Sequence, residues 1–181
     1  MSIKALLIPL AGLLLAACPL VAQEQPGSVA PSAGSLQALD PASFTALATS
    51  LAMFEIDAGG HALQAASRPE VVTLARDTVQ LHADLLARLR QVAQQQNLVI
   101  PETASLEHRA VLDGLTPLAG EELDRRYVES QAQAFEQAVQ LYRTAAGQDA
   151  DPTLKSFATE FLPRLEQQQA TVQRLLDTIP P

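Results

Sequence analysis

The hydrophobic positions of the chain recur with a helical period along four long segments. The clearest segment is residues 71–93, where a stripe of side chains steps by three and four residues: Val72, Ala75, Val79, His82, Leu86, Leu89 and Ala93. This spacing is typical of a helix that packs along its length against other helices. One member of the stripe is a histidine, and a polar side chain at a core position needs a hydrogen-bonding partner or a metal.

Signals for helix starts and ends divide the rest of the chain. Asp40-Pro41 and Asp151-Pro152 each place a capping acid before a proline, which favours the first turn of a helix. We predict helices over residues 41–66, 69–97 and 121–146, and a last one from residue 152. The predicted inward side of the first helix consists of Phe44, Leu47, Leu51, Phe54, Ala58, Ala62 and Ala65, with Glu55 at its margin.

Three details refine these helices. Ser67 and Glu70 have the spacing of a capping box at the start of the second helix. The pair Gly59-Gly60 indicates close backbone packing, a bend or an early end in the first helix. Pro163 lies inside the last helix, so a kink or a loosened turn is expected over residues 159–163.

Residues 98–120 connect the second and third long helices. Within them, residues 103–112 can form a short helix, for which we predict that Leu106, Ala110 and Val111 face inward. His61 and His108 are predicted to face solvent. Because no stretch alternates with period two, the domain is predicted to be all-α, a four-helix bundle with a short extra helix in the cross-over.

The N-terminal residues predict export. Residues 1–17 contain Lys4 followed by an apolar run that is too short to span a bilayer but fits a signal peptide. The run ends in Leu15-Ala16-Ala17-Cys18, which matches the bacterial lipoprotein signal, so Cys18 is predicted to carry the lipid. The alternative is ordinary signal cleavage after Ala22.

The remaining sequence divides into a tether and a domain. Residues 18–39 are rich in Pro, Ser, Gly and Gln without an apolar period, and we interpret them as a flexible tether. Residues 40–181 then form the helical bundle domain. The predicted location is the periplasmic face of the bacterial envelope, with the outer membrane as the expected destination because Pro19 is not the aspartate associated with inner-membrane retention.

Composition and charge restrict the partners. The formal net charge is −8, and no more than two basic residues are adjacent, so nucleic acid is not an expected partner. Cys18 is the single cysteine, which excludes a disulfide within one chain. The sequence shows no nucleophile elbow, phosphate loop or zinc-ligand spacing, so no enzyme activity and no cofactor are predicted. The expected partners are a membrane, through the lipid on Cys18, and an unknown envelope protein or polymer.

Several short sequence motifs, taken in their order along the chain, resemble the bacterial envelope family known as domain of unknown function 4142. They are Phe44 and Ala48, Glu55-Ile56 and Gly59, Pro69-Glu70-Val71, Leu74-Ala75, Val79-x-x-His82, Leu123-Asp124-x-x-Tyr127, Leu154-Lys155-x-Phe157-Ala158 and Leu162-Pro163-x-Leu165. The resemblance covers roughly residues 42–177. It implies a ferritin-like bundle in an exported protein and says little about activity.

The resemblance also implies four polar positions inside the bundle. Glu55 occupies the glutamate position and His82 the first histidine position, whereas the second falls on Ala134-Phe135 and the third on Gln168. Ferritin-like di-metal centres use several carboxylates and Glu-x-x-His pairs, and this chain contains no Glu-x-x-His. A catalytic di-metal centre is therefore not expected.

Two functions remain open. In the first, the protein is a non-catalytic envelope lipoprotein, and His82 is a core histidine hydrogen-bonded to Glu55 or Gln168. Glu55 and His82 lie at similar distances from the turn near Ser67, which puts their heights about 4–5 Å apart and predicts a direct pair. In the second, the protein is a degenerate ferritin-like binder that holds a metal or small ligand with Glu55 and His82. The metal content of the purified protein discriminates the two.

Overall fold

The computed structural model describes residues 39–147 and 151–179, and these ranges contain five α-helices and no strand. Their bounds are α1 Pro41–Ala65, α2 Pro69–Gln96, α3 Leu106–Leu115, α4 Gly120–Gly147 and α5 Pro152–Leu176. The all-α prediction and the order of the helices are therefore confirmed. The predicted signal peptide, Cys18 and almost all of the predicted tether lie outside the described residues.

The ends of the helices follow the capping signals in two cases and depart from them in one. The Asp40 carboxylate accepts a hydrogen bond from the Ser43 N–H at 3.0 Å, and Asp151 caps α5 in the same manner. The capping box predicted for Ser67 and Glu70 is wrong, because α2 starts after Arg68 without a cap from its own side chains. The acceptor for the N–H groups at this end comes from α4 instead.

The four long helices share one core, in which α1 packs on α2 and α4, and α5 packs on the same two helices. Neighbouring helices are antiparallel. Gln96, at the end of α2, donates to Thr153 at the start of α5, whereas Gln168 reaches back to Thr78. As a consequence α2 and α4 run in the same direction, so the chain between them must return along the whole length of the core. This return segment contains α3, which lies against α1 and α4.

Burial corrects two predictions about the faces of the helices. Leu47 is 51% exposed, although the apolar period placed it inside. Because α1 contacts α2, α3 and α4, most of its circumference is buried, and Leu47 lies in the sector that remains. In α3, Leu106 is 77% and Val111 is 41% exposed, and Ala110 is also exposed, so the inward side is the opposite one, with Leu115 buried.

Two further observations complete the fold. Helix α5 continues through Pro163, which lies on the exposed side, where water can reach the carbonyl that the proline leaves unpaired. Among the described helices, none combines the length and the apolar character that crossing a bilayer requires.

Candidate functional site

Glu55 of α1 lies inside the core and is 1% exposed. Its Oε2 accepts a hydrogen bond from Nε2 of Gln131 on α4 at 2.7 Å, while its Oε1 is buried without a partner among the described residues. Burial raises the pKa of Glu55 from 4.5 to about 8, and the bond from Gln131 opposes this shift. Glu55 is therefore an uncharged carboxylic acid near neutral pH.

A chain of polar side chains continues from Glu55 across the core. Gln131 also faces the Thr78 hydroxyl, whose Oγ1 lies 3.5 Å from the Gln131 Oε1, and Nε2 of Gln168 lies 3.4 Å from the same Oγ1. Each of the four long helices thus contributes at least one member. We call this group the interior polar layer, and it consists of Glu55, Thr78, His82, Tyr127, Gln131 and Gln168.

His82 enters the layer from α2 and is 1% exposed. Its Nδ1 lies 3.0 Å from the Thr78 carbonyl oxygen, which can only accept, so Nδ1 carries the proton and Nε2 keeps a lone pair. Burial lowers the pKa of His82 from 6.5 to about 4; the bond to Thr78 raises it and the charge of Arg164 lowers it further. The imidazole is therefore neutral at physiological pH.

The predicted residues come together, but the direct bond between them is not formed. Glu55 and His82 are both buried and both connect to Thr78, one through Gln131 and the other through a backbone carbonyl. Gln168 donates to the Thr78 hydroxyl, and it makes no hydrogen bond to His82. The helical period put His82 on an inward stripe and Glu55 at the margin of one. It did not show Gln131 and Thr78 to be their partners, because a period indicates the side of a helix and not the contacts between helices.

Close contact between α1 and α2 at Gly59 helps to enclose the layer. A Cβ on Gly59 would lie 2.7 Å from Val79 Cγ2, 3.2 Å from the Ala75 carbonyl oxygen and 3.5 Å from the Tyr127 hydroxyl. Of the three interpretations of the glycine pair, close backbone packing is the one observed. Burial and the neighbouring Glu55 raise the pKa of Tyr127, and the nearby Thr78 side chain opposes this shift. The Tyr127 hydroxyl makes no hydrogen bond of normal geometry to a described residue.

Asp124 joins the start of α4 to the start of α2. Its buried carboxylate accepts hydrogen bonds from the N–H groups of Ser67 and Arg68, each at 3.0 Å, and from the Ser67 hydroxyl. It thus satisfies donors at the N-terminus of α2 that the local sequence leaves open. Sequence reasoning missed this role, although Asp124 belongs to the motif Leu123-Asp124-x-x-Tyr127 that helped to indicate the family.

A second candidate site lies outside the core, between α1 and the return segment. It is a cleft of about 860 Å³, which we call the crossover cleft, and it is lined by Met53, Phe54, Ile56, Asp57, Leu86, Glu102, Thr103, Ala104, Leu106, His108, Arg109, Ala110, Leu112 and Asp113. Its floor comes from α1 and Leu86 of α2, and its outer wall comes from residues 102–113. The volume lies within the range of small-molecule sites.

The two histidines predicted to face solvent instead hold the return segment on α1. His108 is half-buried, its Nδ1 lies 2.6 Å from the Ser50 hydroxyl, and its ring stacks on Phe54 with centroids 5.3 Å apart. The Ser50 oxygen also accepts from the Ser105 N–H at 2.8 Å. Further along, Nε2 of His61 lies 3.0 Å from the Leu118 carbonyl oxygen.

The sequence matches the family described as Domain of unknown function (DUF4142) over residues 25–175. The chain belongs to this family. The predicted membership is confirmed, and the match extends further towards the N-terminus than the phrases that indicated it. No curated protein matches the sequence significantly.

Two solved structures resemble the DUF4142 chain in fold. One is a DUF305 fragment from Deinococcus radiodurans, with a TM-score of 0.65 and 17% identity, covering 75% of this chain and 93% of that one. The other is CopM in the Cu(II)-bound form, with a TM-score of 0.64 and 18% identity, covering 75% of this chain and 95% of that one. At these identities the likeness concerns the helical fold alone.

The residues of the interior polar layer do not fit a ferritin-like di-metal centre. At the position where the family resemblance implies a second histidine, Phe135 packs its ring 5.5 Å from the His82 ring. Within the ranges 39–147 and 151–179, no three His, Cys, Asp or Glu side chains are grouped so that they could hold one ion. An aromatic ring thus occupies space beside His82 where a ligand would be needed.

Proposed function

We propose that this DUF4142 protein is an exported, lipid-anchored protein of the bacterial envelope with a non-catalytic binding or structural role. In this proposal its fold is a ferritin-like four-helix bundle of α1, α2, α4 and α5, with α3 as the extra helix in the cross-over. The topology supports this assignment, because ferritin-like folds have one long cross-over connection between helices that run in the same direction.

The enclosure of the interior polar layer is the observation that carries the non-catalytic role. Glu55 and His82 are each 1% exposed, and Gln131 is fully buried. A general acid or base must come within hydrogen-bonding reach of the group it protonates, and these side chains are enclosed by helices. A connected network that draws on every long helix, and that is buried except for the partly exposed Gln168, is suited to specifying how the helices pair.

The proposed anchor is tested with Cys18→Ser. Stable membrane attachment takes two or more acyl chains, so the native protein is expected in the membrane fraction, with a mass that includes the lipid on Cys18. Cys18→Ser should release the protein or leave its signal uncleaved, which fractionation and intact-mass spectrometry detect. Ala22→Leu is the matched control, since it would block ordinary cleavage after Ala22 and should leave lipidation unchanged. If Cys18→Ser keeps the native mass and location, the lipid-anchor proposal is wrong.

The second candidate is a metal or small-ligand binder that uses Glu55 and His82. It is favoured by the lone pair on Nε2 of His82 and by the fold shared with CopM, whose structure is in the Cu(II)-bound form. For the principal proposal we expect no stoichiometric metal in the gently purified protein and no thermal shift with copper, iron or zinc. If the native protein contains stoichiometric metal and the His82→Leu variant does not, the metal-binding candidate replaces the principal proposal.

A further inference from the structure

We propose that the crossover cleft binds a small organic cation with an apolar body. This inference deepens the binding role proposed above, on which it rests, by assigning that role a site and a class of ligand. It does not involve the interior polar layer. The shape of the cleft, the charges at its rim and the contacts that hold its outer wall support it.

The apolar part of the ligand is indicated by the side chains that line the cleft. Met53, Phe54 and Ile56 of α1 form the floor with Leu86, and Leu106 of α3 stands at the lip, 77% exposed. A volume of about 860 Å³ is enough for a ligand the size of a drug molecule. Exposed leucine beside such a cleft would lose contact with water when an apolar body enters.

The charges at the rim indicate a cation. Three carboxylates, those of Asp57, Glu102 and Asp113, line the cleft together with one guanidinium, that of Arg109. All three acids are exposed, and none makes a salt bridge or hydrogen bond with another described residue. Their charges therefore remain available to a ligand. Burial lowers the pKa of His108, which disfavours a positive charge on its half-buried ring, and the charge of Glu107 opposes this shift.

The outer wall is held in place before any ligand arrives. The Ser50 hydroxyl binds both the His108 ring and the Ser105 N–H, and the His108 ring stacks on Phe54 almost in parallel, at 12°. Ser105 also caps α3 by accepting from the His108 N–H at 3.2 Å. A site whose walls are already ordered costs less conformational entropy on binding.

The test uses three probes that share one fluorophore and differ in charge. Dansylcadaverine is a cation, dansylamide is neutral and dansylglycine is an anion, and the emission of each increases in an apolar site. They are titrated into the full chain held in vesicles of uncharged phosphatidylcholine, and the signal of protein-free vesicles is subtracted. We expect affinity to decrease from the cation to the neutral probe to the anion, and we expect the preference for the cation to shrink with added salt.

Two sets of variants locate the binding. Asp57→Asn, Glu102→Gln and Asp113→Asn combined should weaken dansylcadaverine binding by about two- to fivefold per carboxylate and leave dansylamide unchanged. The control combines Asp77→Asn, Glu122→Gln and Glu136→Gln, three exposed acids away from the cleft, which change the net charge equally. Ala104→Trp, which places a large ring at a half-buried position that lines the cleft, should abolish binding of all three probes, whereas Ala83→Trp on the exposed side of α2 should not.

Several results would overturn the proposal. They are the absence of saturable dansylcadaverine binding, equal affinity for the three probes, equal losses in the two charge variants, or binding that survives Ala104→Trp. Concentration-dependent self-association that Ala104→Trp removes would assign the cleft to a second copy of the chain instead. Any of these results leaves the Cys18→Ser experiment unaffected, so failure of the cleft is distinguishable from failure of the anchor.

Discussion

Helix α1 contributes carboxylic acid side chains to two regions, one buried and one in contact with water. Glu55 faces the interior polar layer, where burial keeps it uncharged near neutral pH, whereas Asp57 faces the crossover cleft in contact with water. Two positions along a helix correspond to a rotation of about 200°, which is sufficient to separate core from surface. The same residue class thus supports packing on one side and is available for recognition on the other.

His82 and His108 show the same contrast between core and surface. The ring of His82 is enclosed, and its Nδ1 bonds to the backbone of its own helix, so it has almost no contact with solvent. The ring of His108 is half-buried and holds a surface helix onto α1 through Ser50. The inside of the bundle is therefore expected to govern stability and its response to pH, and the cleft to govern binding. Variants on the two sides test this division.

The largest expected effect is the difference in stability loss when each of two leucines that line the cleft is replaced by alanine. Leu86 is 6% exposed and forms its floor, whereas Leu106 is 77% exposed and stands at its lip. Leu86→Ala should reduce the free energy of unfolding by about 2–5 kcal/mol, and Leu106→Ala by no more than about 0.5 kcal/mol. Urea denaturation followed by circular dichroism measures both. Equal small losses would mean that the floor of the cleft does not belong to the core.

The next effect tests the bond that holds Glu55. Gln131→Leu leaves a buried acid without its donor, which should cost about 1–3 kcal/mol of unfolding free energy, whereas adding Glu55→Leu should restore part of this loss. A double-mutant cycle in urea measures the coupling between the two sites. The same cycle for Glu55 and His82 is the control, with weak coupling expected because these two side chains share no hydrogen bond. Stronger coupling in the control would restore the direct pair that sequence reasoning predicted.

The dependence of stability on pH follows from the two shifted pKa values. Between 4.5 and about 8 the folded chain keeps a proton on Glu55 that the unfolded chain has released, so this group lowers stability as pH rises. Between about 4 and 6.5 the unfolded chain binds a proton at His82 that the folded chain does not, so this group raises stability as pH rises.

The two contributions cancel from pH 4.5 to 6.5, and above 6.5 stability should fall by about 1.4 kcal/mol per pH unit until Glu55 ionises near 8. Chemical denaturation across this range measures the profile. Relative to the native chain, Glu55→Gln should lack the decline above pH 6.5. His82→Leu should instead show the decline from pH 4.5 upward. Profiles that coincide for all three proteins would show that the layer is not the source of the pH response.

The smallest effect compares two adjacent glycines. Gly59→Ala places a Cβ 2.7 Å from Val79, which should cost about 1 kcal/mol or more despite the higher helix propensity of alanine. Gly60→Ala meets no atom within 4 Å and should stabilise the protein by about 0.5–1 kcal/mol. Thermal denaturation of the two variants should therefore shift in opposite directions. Stabilisation by both substitutions would show that α1 and α2 are not in close contact at Gly59.

Local sequence signals were sufficient for the helices and for the burial of Glu55 and His82, whereas the third predicted polar residue, Gln168, is only half-buried. The apolar period and the signals at Asp40-Pro41 and Asp151-Pro152 depend on neighbours within one turn, so they can be read from the chain alone. The same period shows Glu55 and His82 on or beside inward-facing stripes. The order and spacing of short phrases along the chain were also enough to indicate the DUF4142 family.

Tertiary structure alone decided which partners these residues have. Gln131 reaches Glu55, and Asp124 caps α2, because of the rotation and height at which α4 packs on its neighbours, which no local period contains. The orientation of α3 was predicted wrongly for the same reason. A helix of ten residues with apolar side chains on several sides can be turned either way, and it was the contacts of Ser50 with Ser105 and His108 that determined its inward face.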